Sequence, residues 1–484
     1  MGEGKEPTST IIRIKRFNRE LNNALYTIVA AFLWVLFLLI FHEVEWPIRV
    51  TTATTVAAVF LWIFSKFSLA LVSFMAVTVL IITKAISLNL GLSGFATGSL
   101  FLILAGLMMA QAINHTQFAQ RTAYFVLGRF GGTPRGALAG IFLILLILSF
   151  FVPSAAVRIT LLLPTVKVMI EKAGENCNKR NLTCLLIIGL AFGATVSGSG
   201  VLPAALANVM TADLIYDITG ERITYIKWFL YSFPVSLVLL PILWFIMVHV
   251  FPTGMKEFPG GAEEFRKRLA MMEPFTIKEK KCLAILGLAM LLWVTEGIHG
   301  LHSAVPAMLA VILFCMPGIG FMDFKKMLSI DWSTIFLVGF TLSLGAALNN
   351  TGTANFLAGQ IFNKYSLEIL TVSPALTVFL VATFTQIVHI FLGNVTTLVV
   401  TLIPLISQIA FKLNIDPVML GLVTGITGLH GFLLPVETIS NMVVYGTGYL
   451  QPYDMIKPGI FITLFSIIAL SLAAYLWWPM VGLI

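Results

Sequence analysis

Charged side chains are scarce in this chain of 484 residues, since Asp, Glu, Lys and Arg together make up 11% of it. Soluble globular proteins carry roughly 25% charged residues, and a single soluble core stops growing at roughly 250–300 residues. Hydrophobic residues account for 58% of the chain, and its mean hydropathy is +0.96. The composition therefore excludes a large soluble enzyme and predicts an all-α polytopic protein embedded in a lipid bilayer.

Cysteine is also rare, and known catalytic patterns are missing. The four cysteines, Cys177, Cys184, Cys282 and Cys315, stand at no metal-ligand spacing. The chain lacks the His-Glu-x-x-His and Gly-x-x-x-x-Gly-Lys-Ser/Thr patterns of metallohydrolases and ATP-driven pumps. We therefore expect neither an enzyme nor an organic cofactor. The formal net charge of +8 does not indicate nucleic-acid binding, because basic residues of membrane proteins are retained on the cytoplasmic side.

Apolar runs of spanning or near-spanning length predict about eleven transmembrane helices. The first run, near 24–41, lacks a small-residue cleavage pattern, so we expect a retained helix rather than a signal peptide. With a cytoplasmic N-terminus, 22 Lys and Arg residues fall on the cytoplasmic side and six on the other. This bias predicts a plasma (inner) membrane protein whose C-terminus lies on the opposite side. The six are Arg49, Lys84, Arg222, Lys227, Lys364 and Lys412.

Two pairs of apolar runs are each separated by a single residue, which leaves no room for a solvent loop. Pro153 joins the runs within 137–170, and Gly393 joins those within 372–411. If each pair is a re-entrant hairpin, its tip places irregular backbone at membrane depth, which is tolerated where it lines a cavity. Two full crossings per pair would give the same charge distribution, so that alternative stays open. Arg158 and Lys167 lie inside the first hairpin and belong to neither side.

This topology divides the chain into two inverted repeats around a polar linker. Residues 1–22 are a cytoplasmic N-terminal segment, and residues 23–251 hold the first helix and the first repeat. Residues 252–281 form a cytoplasmic linker, and residues 282–484 form the second repeat. Inverted repeats with broken helices in matching positions are typical of secondary transporters whose site lies at the repeat interface.

Polar residues at the breaks suggest what such a site binds. Ser154 and Asn394 would cap the second arm of each hairpin, where free N–H groups and the positive end of the helix dipole attract an anion. Further interruptions follow at 198–203 and 435–438. Backbone carbonyls freed there can coordinate a cation, while hydroxyls and amides bind a carboxylate.

Two stretches of the second half carry a specific pattern. They are Asp331-Trp332 at the start of a helix with Gly339 and Gly345, and Leu434-Pro435-Val436-Glu437-Thr438-Ile439-Ser440-Asn441 followed by Tyr445-Gly446-Thr447-Gly448-Tyr449. These motifs resemble the divalent anion/sodium symporter family, which includes di- and tricarboxylate transporters. The resemblance spans most of the chain. It implies a homodimeric secondary transporter of C4–C6 carboxylates that works by alternating access.

The resemblance also implies which residues form the site. Substrate binding is assigned to Ser154, Arg158, Asn394, Thr396, Thr438 and Asn441. Ion coupling is assigned to Gly198, Ser199, Gly200, Gly393 and Glu437. The chain departs from the family's pattern after Ser154, where two alanines replace Asn and Thr, and at 205–207, where Ala-Leu-Ala replaces Thr-Pro-Pro. A sodium ion at the hairpin tips is therefore left open.

Two charged residues lie at the predicted site. Arg158, four residues after Ser154, resembles the tip of the family's exchanger branch; it can fork onto a carboxylate and replace the charge of sodium. A snorkelling or salt-bridged arginine is the alternative. Glu437 would bind a cation, take up a proton or pair with Arg158. His389 is expected to be a hydrogen-bonded packing residue, and His430 to lie near a membrane interface.

Several functions remain compatible with these features. Sodium-coupled symport and exchange are both open for a carboxylate transporter. The alternatives are a transporter or exporter of another anion, such as sulfate or an oxyanion, and a proton-coupled ion antiporter, since hairpins and inverted repeats occur there too. Tips with Ser, Asn, Thr and Arg, rather than Asp, favour an anion.

Overall fold

The structure, a computed structural model, describes residues 8–65, 67–173, 177–361 and 373–483. This part of the chain contains helices and no strands. Lys5, Lys66 and Lys364, which entered the topology prediction, lie outside the described residues. The helices are α1 (Thr8–Ile40), α2 (Trp46–Phe64), α3 (Leu69–Ile82), α4 (Leu88–Leu92), α5 (Gly98–Asn114), α6 (Phe118–Phe130), α7 (Pro134–Ser149), α8 (Ala155–Glu171), α9 (Lys179–Ser199), α10 (Leu206–Thr219), α11 (Tyr225–Val250), α12 (Glu263–Ala270), α13 (Ile277–Val294), α14 (Glu296–His299), α15 (Ala304–Cys315), α16 (Phe324–Met327), α17 (Trp332–Asn350), α18 (Thr353–Ile361), α19 (Pro374–Leu392), α20 (Val395–Leu413), α21 (Pro417–Leu429), α22 (Ile439–Tyr445) and α23 (Pro452–Leu472).

Among these, seven helices are long and apolar enough to cross a membrane. They are α2, α9, α11, α17, α19, α20 and α23 with its extension to Trp477. Shorter apolar helices at Ala24–Ile40, Leu69–Ile82, Pro134–Ser149, Ala304–Cys315 and Pro417–Leu429 are candidates for the remaining crossings. The predicted class, an all-helical polytopic membrane protein, is confirmed.

The chain forms two compact units. The first consists of Met1–Ala96 and Phe336–Ile361, and its core buries Val50, Trp62 and Leu344. The second consists of Thr97–Ile335 and Phe362–Ile484. Both hairpins and both interrupted helices belong to this second unit, so the candidate site lies wholly within it.

Both single-residue joints are helix breaks, as the sequence predicts. α7 ends at Ser149 and packs against α8, whereas α19 ends at Leu392 and packs against α20. Gly393 adopts a φ of 57°, the left-handed conformation that glycine accepts without strain. Its N–H donates to the His389 carbonyl at 2.9 Å and so closes α19.

The polar linker is tied to neighbouring helices of the second unit by ion pairs. α13 begins at Ile277, inside the linker predicted to reach residue 281, because Thr276 and Glu279 form a reciprocal capping box. The Glu279 carboxylate also lies 3.2 Å from Arg121 of α6. At the end of α8, Lys172 pairs with Glu264 of α12 at 2.8 Å. The linker is therefore held against the end of the first hairpin.

Candidate functional site

Each hairpin turns at a residue whose side chain caps the second arm. The Ser154 hydroxyl accepts a hydrogen bond from the Val157 N–H at 3.4 Å at the start of α8. The Asn394 amide oxygen accepts from the N–H groups of Thr396 and Thr397 at 2.9 and 3.3 Å at the start of α20. Both predicted N-caps are confirmed, and the positive ends of two helix dipoles face the tips.

Two helices are interrupted opposite these tips. In the first half, α9 ends at Ser199, a 3-10 turn covers Leu202–Ala204, and α10 begins at Leu206. In the second half, α21 ends at Leu429 and α22 begins at Ile439. The apolar run at 417–434 predicts that the helix before the second interruption continues to residue 434. It ends earlier because the segment after it turns back to contact His389 and Asn441.

One asparagine in each half holds its unwound segment. The Asn208 amide donates to the carbonyls ten and seven residues before it, those of Gly198 and Val201, both at 2.9 Å. The Asn441 amide donates to the carbonyls ten and seven residues before it, those of Gly431 and Leu434, at 3.1 and 3.0 Å. The two segments are thus built alike, and Asn441 binds backbone where substrate binding was predicted.

The four broken elements enclose one cavity of about 70 Å³. The predicted site residues that line it are Ser154, Asn394, Thr396, Glu437 and Thr438. Thr195 and Ser440 also line it, although the sequence did not single them out. They adjoin the two interruptions, so a search that took each break with one helical turn on either side would have included them. The remaining wall is apolar and consists of Ala155, Ala156, Ala194, Ala205, Leu206, Ala207, Val395, Leu429 and Ile439.

Arg158 lies behind this wall and does not line the cavity. It is fully buried, and its Nη2 donates to the carbonyls of Ala194 and Ala204 at 3.2 and 3.3 Å. A Cβ on Gly198 would stand 2.6 Å from that Nη2, so the glycine makes room for the guanidinium. Nε and Nη1 are buried without a hydrogen-bond partner. Among the described residues, no carboxylate forms an ion pair with Arg158, and the pairing with Glu437 that the sequence left open is not formed.

Glu437 and His389 meet at the second unwound segment. One Glu437 carboxylate oxygen accepts from the Leu433 N–H at 2.8 Å, and the other is buried without a partner. His389 Nε2 donates to the Glu437 backbone carbonyl at 3.3 Å. A Cβ on Gly431 would stand 2.5 Å from the His389 ring. A basic side chain of each hairpin thus touches the unwound segment of its own half.

Four residues predicted to couple ions do not line the cavity, and Gly198, which makes room for Arg158, is one of them. The Ser199 hydroxyl is bonded to His430 Nε2 at 3.1 Å, and Gly200 packs against Phe233 and Ser236. Gly393 closes α19 as described above. His430 is fully buried and bonded through Nδ1 to the Ser466 hydroxyl at 2.5 Å. Its ring joins the ends of α9 and α21 inside the unit, and its position near a membrane interface stays a prediction.

Known proteins that resemble this chain cover most of its length. A membrane protein of Cupriavidus necator is 29% identical over 402 residues, which are 82% of this chain and 77% of that protein. The sodium-dependent dicarboxylate transporter SdcS of Staphylococcus aureus is 23% identical over 479 residues, 94% of this chain and 91% of that protein. The same transporter of Staphylococcus saprophyticus is 24% identical over 399 residues, covering 78% and 76%.

A solved structure shows the same fold at low identity. The Alcanivorax borkumensis YdaH transporter superposes with a TM-score of 0.51 at 14% identity, over 82% of this chain and 88% of that one. The family described as the sodium:sulfate symporter transmembrane region matches residues 19–484. The chain therefore belongs to this family of membrane transporters, the divalent anion/sodium symporter family that its motifs resemble.

Proposed function

We propose that this transporter carries small dicarboxylate anions by exchange and holds the anion between its hairpin tips. The observation that carries the proposal is the cavity, where polar side chains meet the starts of four helices. α8, α20 and α22 begin there after the caps Ser154, Asn394 and Thr438. α10 begins there after Ala205, which provides no side-chain cap. Uncapped N–H groups and helix dipoles of this kind bind anions.

Arg158 supplies the balancing charge in this proposal. Burying an anion without a counter-charge is costly, and a guanidinium remains positive in proteins. Arg158 stands next to Ala194 of the cavity wall, and no described carboxylate pairs with it. The guanidinium would therefore attract the anion from behind the cavity wall, without a direct bidentate contact to the carboxylate.

Exchange is favoured over sodium-coupled symport by the first unwound segment. A sodium ion carried as a second substrate needs backbone or hydroxyl oxygens, and Arg158 already occupies the carbonyls of Ala194 and Ala204. The second segment favours the other candidate, a symporter. There, one Glu437 carboxylate oxygen is buried without a partner and would suit a sodium ion or a proton.

Counterflow in proteoliposomes separates these functions. C4, C5 and C6 carboxylates, sulfate and phosphate are tested with and without a sodium gradient. We expect saturable counterflow of a C4 or C5 dicarboxylate without sodium. Strict sodium dependence would favour the symporter, and a preference for sulfate would favour the alternative anion. No saturable uptake of any carboxylate would overturn the proposal.

Substitutions of Arg158 test its charge in the same assay. Truncating one partner of a buried charge pair costs about 2–5 kcal/mol, so Arg158→Gln should raise the KM for the dicarboxylate at least about tenfold. Arg158→Lys keeps the charge, so its KM should lie between that of the parent protein and that of Arg158→Gln. Arg135→Gln is the control, because Arg135 is exposed at the start of α7. An unchanged KM in Arg158→Gln would remove the charge-balancing role.

A further inference from the structure

Helix α8 has a second face that continues from the cavity toward the linker. Ala156 lines the cavity, and the residues that follow on the same face are Thr160, Pro164 and Lys167, at helical spacings of three and four. Thr160 and Pro164 are exposed, and Lys167 is partly exposed. Arg158 and the buried residues of α8 occupy the opposite face. An accessible strip thus leads away from the site along the second arm of the hairpin.

Helix α22 offers a matching strip beside it. Ile439 and Ser440 line the cavity, and Met442 and Tyr445 further along are exposed. The two helices pack against each other. Both start at the cavity, and α8 is followed directly by Lys172, which pairs with Glu264 of the linker. Their accessible faces run from the cavity to the linker side, and this strip is the candidate substrate route.

Lys167 stands near the end of this route without an acidic partner. Its Nζ lies 5.6 Å from the centre of the Tyr449 ring. At 1.5 Å per helical residue, Lys167 is about 16 Å beyond Ala156 along α8. None of the ion pairs formed by the described residues includes Lys167, whereas Lys172 on the same helix pairs with Glu264. A lysine inside a membrane hairpin is costly unless it meets water or a counter-ion.

The backbone of Tyr449 is held in place by Arg180. Arg180 at the start of α9 donates from Nη1 to the Tyr449 carbonyl at 2.5 Å, and its Nη2 pairs with Asp454. Asp454 also accepts from the Gln451 N–H at 2.7 Å in the cap of α23. Asp454 is thus taken up by Arg180 and the cap of α23. Among the described residues, Lys167 forms no ion pair and lies above a tyrosine ring whose backbone is fixed.

We propose that Lys167 and Tyr449 form a second, weaker anion site at the linker-side mouth of the substrate route. This inference rests on the proposed function. The ammonium group attracts the carboxylate on its way between the cavity and the linker-side solution. The tyrosine ring keeps the lysine extended toward the route through a cation–π contact. A charge placed at the mouth of a cleft raises the rate of anion entry from that side.

The test measures succinate counterflow from each side separately. Right-side-out and inside-out membrane vesicles are compared, and the linker side is identified by protease cleavage within residues 252–276. We expect Lys167→Gln to raise the KM on the linker side by about three- to tenfold with little change in Vmax, and to leave the KM on the other side unchanged. High salt should reduce the difference in linker-side KM between Lys167→Gln and the parent protein, since screening shortens the reach of an exposed charge.

Matched variants separate charge from packing. Lys167→Arg and Tyr449→Phe should behave like the parent protein, because one keeps the charge and the other keeps the ring. Lys172→Gln is the control, because hydrogen bonds from Lys172 lower the pKa of Glu264 and that lysine is already paired. An unchanged KM in Lys167→Gln, or an equal rise on both sides, would overturn the second site alone. Absence of succinate counterflow in the parent protein would remove the proposed function together with it.

Discussion

Asn394 combines two roles that substitutions can separate. Its amide oxygen caps α20, and the residue also lines the cavity. Asn394→Ala should cost about 1 kcal/mol of stability, the usual loss for an N-cap. Asn394→Asp keeps a good cap but places a negative charge where the anion binds. The Asn394→Asp variant should have the same melting temperature as the parent protein, but its KM for the dicarboxylate should be at least about tenfold higher.

The control for this pair is another N-cap. Asn178 caps α9 on the exposed linker side, where its side chain accepts from the Asn181 N–H at 3.0 Å. Asn178→Asp should change neither the KM nor the melting temperature. Thermal unfolding in detergent and counterflow kinetics are measured on all three variants. A parent-like KM in Asn394→Asp would show that the anion binds elsewhere.

At the scale of single residues, the sequence was informative where the chemistry is local. Ser154 and Asn394 were predicted as caps because each needs only the N–H groups two or three residues ahead of it. The partners of Arg158 were not predictable in this way. Its acceptors, Ala194 and Ala204, lie 36 and 46 residues away and are brought to it by the packing of α8 against α9.

At the scale of elements, Gly198 determines how closely the first hairpin approaches α9. Gly198→Ala would place a methyl group 2.6 Å from Arg158 Nη2 and push the guanidinium off its two carbonyls. Overpacking of this kind costs typically about 1–3 kcal/mol, and we expect a clear loss of counterflow. Gly287→Ala in α13 is the control, since nothing lies within 4 Å of its Cβ position.

The glycine pair is compared by thermal unfolding and by counterflow on the purified proteins. Alanine is favoured over glycine in a helix by roughly 0.5–1 kcal/mol, so Gly287→Ala should be equal to the parent or slightly more stable. If Gly198→Ala folds and transports like the parent protein, the position of Arg158 against α9 has no part in transport.

Helix ends were predictable from sequence where neighbouring residues cause them, and not where a residue distant in the chain does. The breaks at Pro153 and Gly393 were predicted because a helix breaker stands next to an N-cap in each case. The end of α21 at Leu429 was not predicted, since Phe432, Leu433 and Leu434 extend the apolar run past His430 and Gly431. The carbonyls of Gly431 and Leu434 leave the helix to meet the Asn441 amide, which lies beyond them in the chain.

At the scale of the whole molecule, the basic residues predict a membrane orientation that labelling can test. A cysteine replacing Glu257 in the linker and one replacing Lys412 in α20 should react with an impermeant maleimide from opposite sides of sealed vesicles. Cys177 and Cys315, which are partly exposed, are first replaced by serine. Reaction of both new cysteines from the same side would contradict the topology.

The class of the whole molecule was predictable from composition, because a chain with so few charges cannot cover itself with a polar surface. The site was predictable only in part. Five wall residues follow from caps and breaks, but the position of Arg158 depends on how distant helices meet. Lys167 illustrates this point, since only the fold shows that its helix face starts at the cavity.

The matching asparagines, Asn208 and Asn441, hold the two unwound segments without using charge. Both donate to the carbonyls ten and seven residues before them. When Ser154 is aligned with Asn394, the counterpart of Arg158 is Leu398, an apolar residue. The fixed cation of the first half is therefore not part of the bonding frame that the two halves share.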